Sequence, residues 1–166
     1  SINKTPYEML RSLVGSEMCI RDRMRTFSKI HGLAGLRIGY GIGHPDFVAA
    51  LEKVRQPFNT NAVAQAGAMA ALDDDAHLTN TRRTNAEGLR FFEILCAEQG
   101  IEFVPSHANF VMVRVGDGQA VFEALQRQGV ITRPMGGYGL PEWLRLSIGT
   151  TAENQRAVEA LKAALA

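Results

Sequence analysis

Apolar positions follow one rhythm in the first part of this chain and another in the second. Up to Leu72 they come as short runs broken by glycine, proline and asparagine, whereas from Ala76 they recur with clear strand and helix periods. Met24 to Phe27 and Arg37 to Ile42 alternate well enough for two short strands, with a glycine-marked loop between them. Pro45 suits the first position of a helix carrying Phe47, Leu51 and Val54 on one face and ending near Pro57. The segment from Pro57 to Gln65 is a loop entering an alanine-rich helix that runs through Leu72, a composition suited to close helix packing.

A long helix is predicted after Asp73-Asp74-Asp75, reaching Gln99 with Leu89, Phe92, Leu95 and Cys96 toward a core and Gly100 as its stop. Asp74 and Asp75 at its start complement the helix dipole rather than bind metal. Strands follow at Ile101 to Val104 and Asn109 to Val115, where Phe110-Val111-Met112-Val113 reads as buried on both faces. Asp117 caps a helix with Val121, Phe122 and Leu125 inward, and Gly129 closes it. Val130 to Arg133 and Trp143 to Ile148 are the last strands. Thr150-x-x-Glu153 is a capping box opening a final helix with Val158, Leu161 and Leu165 inward. The fold class expected is α/β for the first part and α+β, helices layered on a small sheet, for the second.

Charge narrows the function without revealing it. Eighteen Lys and Arg balance seventeen Asp and Glu among 166 residues and are dispersed, so no basic stripe for nucleic acid is expected. Cys19 and Cys96 form no metal or disulfide pattern, no apolar run reaches membrane-spanning length, and residues 1 to 23 carry charges where a signal peptide needs an apolar centre. A soluble protein of the reducing cytoplasm is expected. Gly39, Gly41 and Gly43 do not make a dinucleotide fingerprint, since the third glycine would have to stand at Asp46.

Chemistry concentrates at Thr26-Phe27-Ser28-Lys29-Ile30-His31-Gly32-Leu33-Ala34-Gly35-Leu36-Arg37-Ile38-Gly39-Tyr40. A lysine amine condenses with carbonyls when its surroundings activate it. Ser28 and Thr26 offer hydroxyls, and Arg37 a permanently charged fork suited to phosphate. Together these groups can hold a phosphorylated aldehyde. Two further arginines stand out: Arg145 interrupts an apolar strand, and Arg133 precedes Pro134 at a strand end. By themselves such arginines are most simply solvent-facing charges.

The lysine segment closely resembles that of the pyridoxal phosphate (PLP) aminotransferases of the aspartate aminotransferase superfamily, most of all the histidinol-phosphate aminotransferases. The resemblance implies fold type I, with residues 24–75 ending the large cofactor-binding domain and 76–166, long helix included, forming the small carboxyl-terminal domain. It implies that Lys29 carries PLP and moves the α-carbon proton, with Thr26, Ser28 and Arg37 on the cofactor phosphate. Arg133-Pro134-Met135-Gly136-Gly137-Tyr138-Gly139-Leu140-Pro141-Glu142-Trp143-Leu144-Arg145 resembles the family's substrate region, which implies Arg145 on the α-carboxylate and Arg133 on a substrate phosphate. Small amino-acid and 2-oxo-acid substrates and a homodimer are implied, in histidine biosynthesis, with no metal, nucleic acid or membrane partner.

Asn59 and Asn61 are either site contacts or turn and cap residues, and Tyr40, His31 and His107 take no role. A sister enzyme of the same fold, an aromatic aminotransferase or phosphothreonine decarboxylase, shares Lys29, Arg37 and Arg145. A noncatalytic module remains the unlike alternative. Residues 1–23 do not resemble the family: Ser12 to Arg23 look like translated sequencing-adapter DNA, the alternative being a divergent or alternatively spliced terminus, and the residues that elsewhere hold the PLP ring have no counterpart. The chain by itself is therefore expected to be inactive.

Overall fold

The computed structural model describes residues 23–165, so the expected foreign leader lies outside the described residues up to Asp22. The chain divides into two compact units at the bond between Asp75 and Ala76.

In the first unit β1 (Arg23–Thr26) and β2 (Gly39–Ile42) pair antiparallel, with Thr26 opposite Gly39. A side chain at Gly39 would sit 2.7 Å from the Arg25 carbonyl oxygen, which explains a glycine there. The second strand is shorter than expected because Arg37 leaves extended geometry, with φ 54°. Helix α1 (Pro45–Glu52) starts as predicted, and the His44 ring nitrogen accepts from the Asp46 N–H at its cap. Of its predicted apolar face Phe47 is half-buried, whereas Leu51 and Val54 are exposed, and Val54 lies beyond the helix. Helix α2 (Ala62–Leu72) is capped by Asn61, and its small side packs closely: Ala64 and Ala68 are buried, and a Cβ at Gly67 would lie 3.0 Å from Leu36.

The second unit is a four-stranded antiparallel sheet with helices on one face. Helix α3 (Asp75–Gln99) precedes β3 (Phe103–Val104), β4 (Phe110–Arg114), α4 (Gly118–Arg127), β5 (Arg133–Pro134), β6 (Trp143–Ser147) and α5 (Thr151–Leu165). The sheet order is β3-β4-β6-β5. Phe92, Leu95 and Cys96 of α3, Val121 and Leu125 of α4, and Val158 and Leu161 of α5 cover Val111, Val113, Leu144 and Leu146. Burial raises the pKa of the Cys96 thiol.

Three expectations are corrected here. The β4 run is buried on one face only: Val111 and Val113 are inaccessible, whereas Phe110 and Met112 are half-buried on the face opposite α3, α4 and α5. Of the expected 130–133 strand only Arg133 pairs with β6, joined by Pro134 just beyond it, and Ile131 is exposed. Leu165 is exposed at the last turn of α5, past the end of the core.

The capping box forms. Glu153 accepts from the Thr150 N–H at 2.7 Å and from its hydroxyl at 2.8 Å, while the Glu153 N–H donates to Thr150 Oγ1. Those bonds, the backbone one first, hold the Glu153 carboxyl below its usual range. A depressed folded pKa contributes stability above the unfolded carboxylate pKa that is lost as pH falls through the folded value. Glu153→Gln is therefore expected to flatten the acid limb of stability without moving the neutral-to-alkaline limb, measured by denaturant titration across pH.

Candidate functional site

The Lys29 loop hangs from one buried side chain. Phe27 is 4% exposed, with its ring against those of His31 and Tyr40 at 4.8 and 5.9 Å between centroids. The Phe27 N–H still donates to Ile38, and its carbonyl accepts from the Leu33 N–H at 2.9 Å, so the loop is closed at its base. Gly32, at φ 70°, donates to the Lys29 carbonyl and completes the turn. With Phe27 inward, Lys29 is exposed and has no ion-pair partner among the described residues.

Thr26, Ser28 and Arg37 belong to the same short structure. Thr26 Oγ1 accepts from the Ser28 N–H at 3.1 Å, which leaves its O–H free to donate. One Arg37 nitrogen donates to the Ala34 carbonyl at 2.8 Å; that single bond leaves most of the guanidinium's N–H groups uncommitted. The four residues thus offer an amine for an aldehyde and hydroxyl and guanidinium donors for a phosphate, which is the donor set PLP requires. His31, whose ring packs on Phe27 in the same loop, has its Nδ1 buried with no hydrogen-bond partner among the described residues. Asn61 is a helix cap, and Asn59 is exposed.

The second unit carries Arg145 and Arg133, the two arginines for which the resemblance implies substrate contacts, and strand register sets their positions opposite each other. Arg133 stands directly opposite Arg145 across β5–β6, and Met112 stands opposite Arg145 on its other side. Residues opposite one another in antiparallel strands share a face with Cβ atoms about 5 Å apart, and like charges so placed repel. Arg114, on the same face as Arg145, is neutralised by Glu102 at 2.9 Å and Glu142 at 2.7 Å, contacts that raise its pKa further. Neither Arg145 nor Arg133 has such a carboxylate among the described residues. Arg145 is only half-exposed, and its Nε is buried with no hydrogen-bond partner. An arrangement that leaves a buried guanidinium donor unsatisfied beside a second positive charge is completed by an anion.

No group of three or more His, Cys, Asp or Glu that could hold a metal occurs among the described residues. No helix there is long and apolar enough to cross a membrane.

The fold is that of the fold-type I PLP aminotransferases, and the chain belongs to the aminotransferase class I and II family, which matches residues 22–161. That family uses PLP. Among individual relatives, it is 54% identical over 146 residues to histidinol-phosphate aminotransferase 2 of Ralstonia nicotianae and 51% identical over 142 residues to the histidinol-phosphate aminotransferase of Akkermansia muciniphila. Each comparison covers 86% of this chain and 39% of the relative, so the chain spans about two-fifths of the length of the curated relatives it matches. The solved histidinol-phosphate aminotransferase of Sinorhizobium meliloti, in complex with pyridoxal-5'-phosphate, superposes with a TM-score of 0.79 at 32% identity, covering 87% of this chain and 40% of that one.

Arg37 offers a test that separates fold from cofactor. At φ 54° an arginine is strained and a glycine is not, so Arg37→Gly is expected to leave stability within about 1 kcal/mol of the parent or slightly above it. The same change removes the charged donor, and retention of PLP after gel filtration is expected to fall. The two readouts should move apart.

Proposed function

We propose that this chain is the carboxyl-terminal part of a PLP-dependent aminotransferase that moves an amino group between histidinol phosphate and 2-oxoglutarate. In this reading residues 24–75 end the cofactor-binding domain and residues 76–166 form the small domain. Bound PLP supplies an electron sink for the charge left at the substrate α-carbon. Lys29 anchors the cofactor through its amine and moves the proton at the α-carbon, while Thr26, Ser28 and Arg37 hold the phosphate. Arg145 and Arg133 take the substrate's anionic end.

The observation that supports the substrate reading is the pair of arginines at directly opposed strand positions, one with a buried nitrogen lacking a hydrogen-bond partner among the described residues. A monocarboxylate compensates one such charge, whereas a phosphate monoester carries nearly two charges and offers acceptors to both forks. The same place can therefore take the phosphate end of histidinol phosphate in one half-reaction and the α-carboxylate of glutamate in the other. The completed enzyme works as a cytoplasmic homodimer on small substrates.

The test is a chimera in which residues 24–166 replace the matching segment of the Ralstonia relative, assayed for amino transfer from histidinol phosphate and from phenylalanine. Transfer from histidinol phosphate is expected, and Arg133→Gln should raise KM for it by about ten- to a hundred-fold while affecting glutamate less. Arg145→Gln should weaken both substrates. A chimera that prefers phenylalanine would redirect the reading to an aromatic aminotransferase, and one inactive on all amino donors would overturn it.

A further inference from the structure

We infer that Phe110 is the positioning residue for Arg145: its ring holds the guanidinium in place before any substrate anion arrives. The inference rests on the proposed role of Arg145. The Arg145 guanidinium carbon lies 5.0 Å from the centroid of the Phe110 ring. Strand register explains why these two meet. Phe110 is opposite Ser147 and Met112 is opposite Arg145, so Phe110 is the diagonal neighbour of Arg145 on the sheet face opposite the helices of this unit. A diagonal neighbour in an antiparallel pair is within reach of an aromatic ring and a long side chain.

The forces on Arg145 favour this placement. On its β5 side the directly opposite residue is Arg133, a like charge; on its β4 side stand Met112 and Phe110. A cation is attracted to the negative face of an aromatic ring, more strongly when both are partly shielded from water. Both Phe110 and Arg145 are half-buried. Arg114, on the same face, is fixed by two glutamates instead, and no carboxylate holds Arg145 among the described residues. The ring thus does for Arg145 what an acidic partner does for Arg114, with one difference that matters for binding. A carboxylate would occupy the hydrogen-bonding edge of the guanidinium, whereas a ring takes only its face and leaves the N–H groups to a ligand.

This arrangement lowers the ordering cost of anion binding, because a long, flexible arginine is already restrained. The expected effect of removing the ring is weaker binding of carboxylate and phosphate together, with their relative preference little changed, since that preference is assigned to Arg133.

The experiment uses the full chain labelled with 15N-arginine, with the Arg145 Nε–Hε signal assigned by its loss in Arg145→Lys. Ring stacking is expected to displace this signal upfield; Phe110→Leu should return it toward the ordinary arginine position, and Phe110→Tyr should keep it displaced. Titration with L-glutamate and with inorganic phosphate should give affinities about five-fold weaker in Phe110→Leu and near parental in Phe110→Tyr. An undisplaced Arg145 signal in the parent chain, needing no variant to fold, would overturn the positioning role. So would unchanged affinities in Phe110→Leu. A displaced signal with no response to either anion would instead overturn the anion-binding role of Arg145 and leave the ring contact standing.

Discussion

Lys29→Ala is expected to abolish selective capture of PLP by this chain, leaving only the scattered labelling of surface amines. The chain has three other lysines, Lys4, Lys53 and Lys162, which act as internal controls. All lysines can condense with an aldehyde; what distinguishes Lys29 is that Thr26, Ser28 and Arg37 stand in the same closed loop with phosphate donors uncommitted. Holding the phosphate beside the amine converts a bimolecular encounter into a local one, a large advantage when the geometry is right. The measurement is incubation with PLP, borohydride reduction and peptide mass spectrometry. In the parent chain the adduct on Lys29 should be dominant and saturable; in Lys29→Ala the total should fall to the level seen on Lys53 and Lys162. Equal labelling of Lys29 and Lys53 in the parent chain would sink the assignment.

Gly88→Ala is expected to destabilise the second unit by about 3 kcal/mol, because one added methyl both overpacks a contact and breaks buried hydrogen bonds. Gly88 is a buried position on α3, and a Cβ there would stand 2.4 Å from Ile148 Cγ2 and 2.8 Å from Asn154 Nδ2. Asn154, 5% exposed, uses its amide in two hydrogen bonds to one residue: Oδ1 accepts from the Gly149 N–H at 2.9 Å, and Nδ2 donates to the Gly149 carbonyl at 3.1 Å. That pair fixes the turn between β6 and α5, and displacing Asn154 leaves a backbone donor and acceptor unsatisfied. The buried Cys96 thiol on the same helix is the reporter. Its alkylation, read on its own peptide, should accelerate in Gly88→Ala in proportion to the larger open population. Unchanged Cys96 labelling, with an unchanged denaturant midpoint, would show that Ile148 and Asn154 yield without cost.

The candidate site was legible where chemistry is local in the chain. Lys29 with its hydroxyls and Arg37 falls within twelve residues, and turn, glycines and donors could all be read in order; the structure adds that Phe27 is the anchor. Asp117 and the Thr150–Glu153 box were legible for the same reason, since a cap involves residues two or three apart. The strands were read less well. Val130 to Thr132 have strand-forming composition, but pairing depends on where β6 runs, and the chain parts from it there. The apolar run in β4 suggested two covered faces; three helices cover only one.

The sequence by itself determined the order of helices and strands, their caps, the balance of charge and the lysine loop, because each of these depends on neighbours within a few positions. Only the tertiary structure decided that Arg133 faces Arg145, that Phe110 lies beneath the same guanidinium, and that Gly88 makes room for Asn154. Those relations join residues between 12 and 66 positions apart, as Arg133 with Arg145 and Gly88 with Asn154. Strand register and helix packing set such distances, and a one-residue slip of β4, β5 or β6 would turn Phe110, Arg133 or Arg145 respectively to the other face of the sheet.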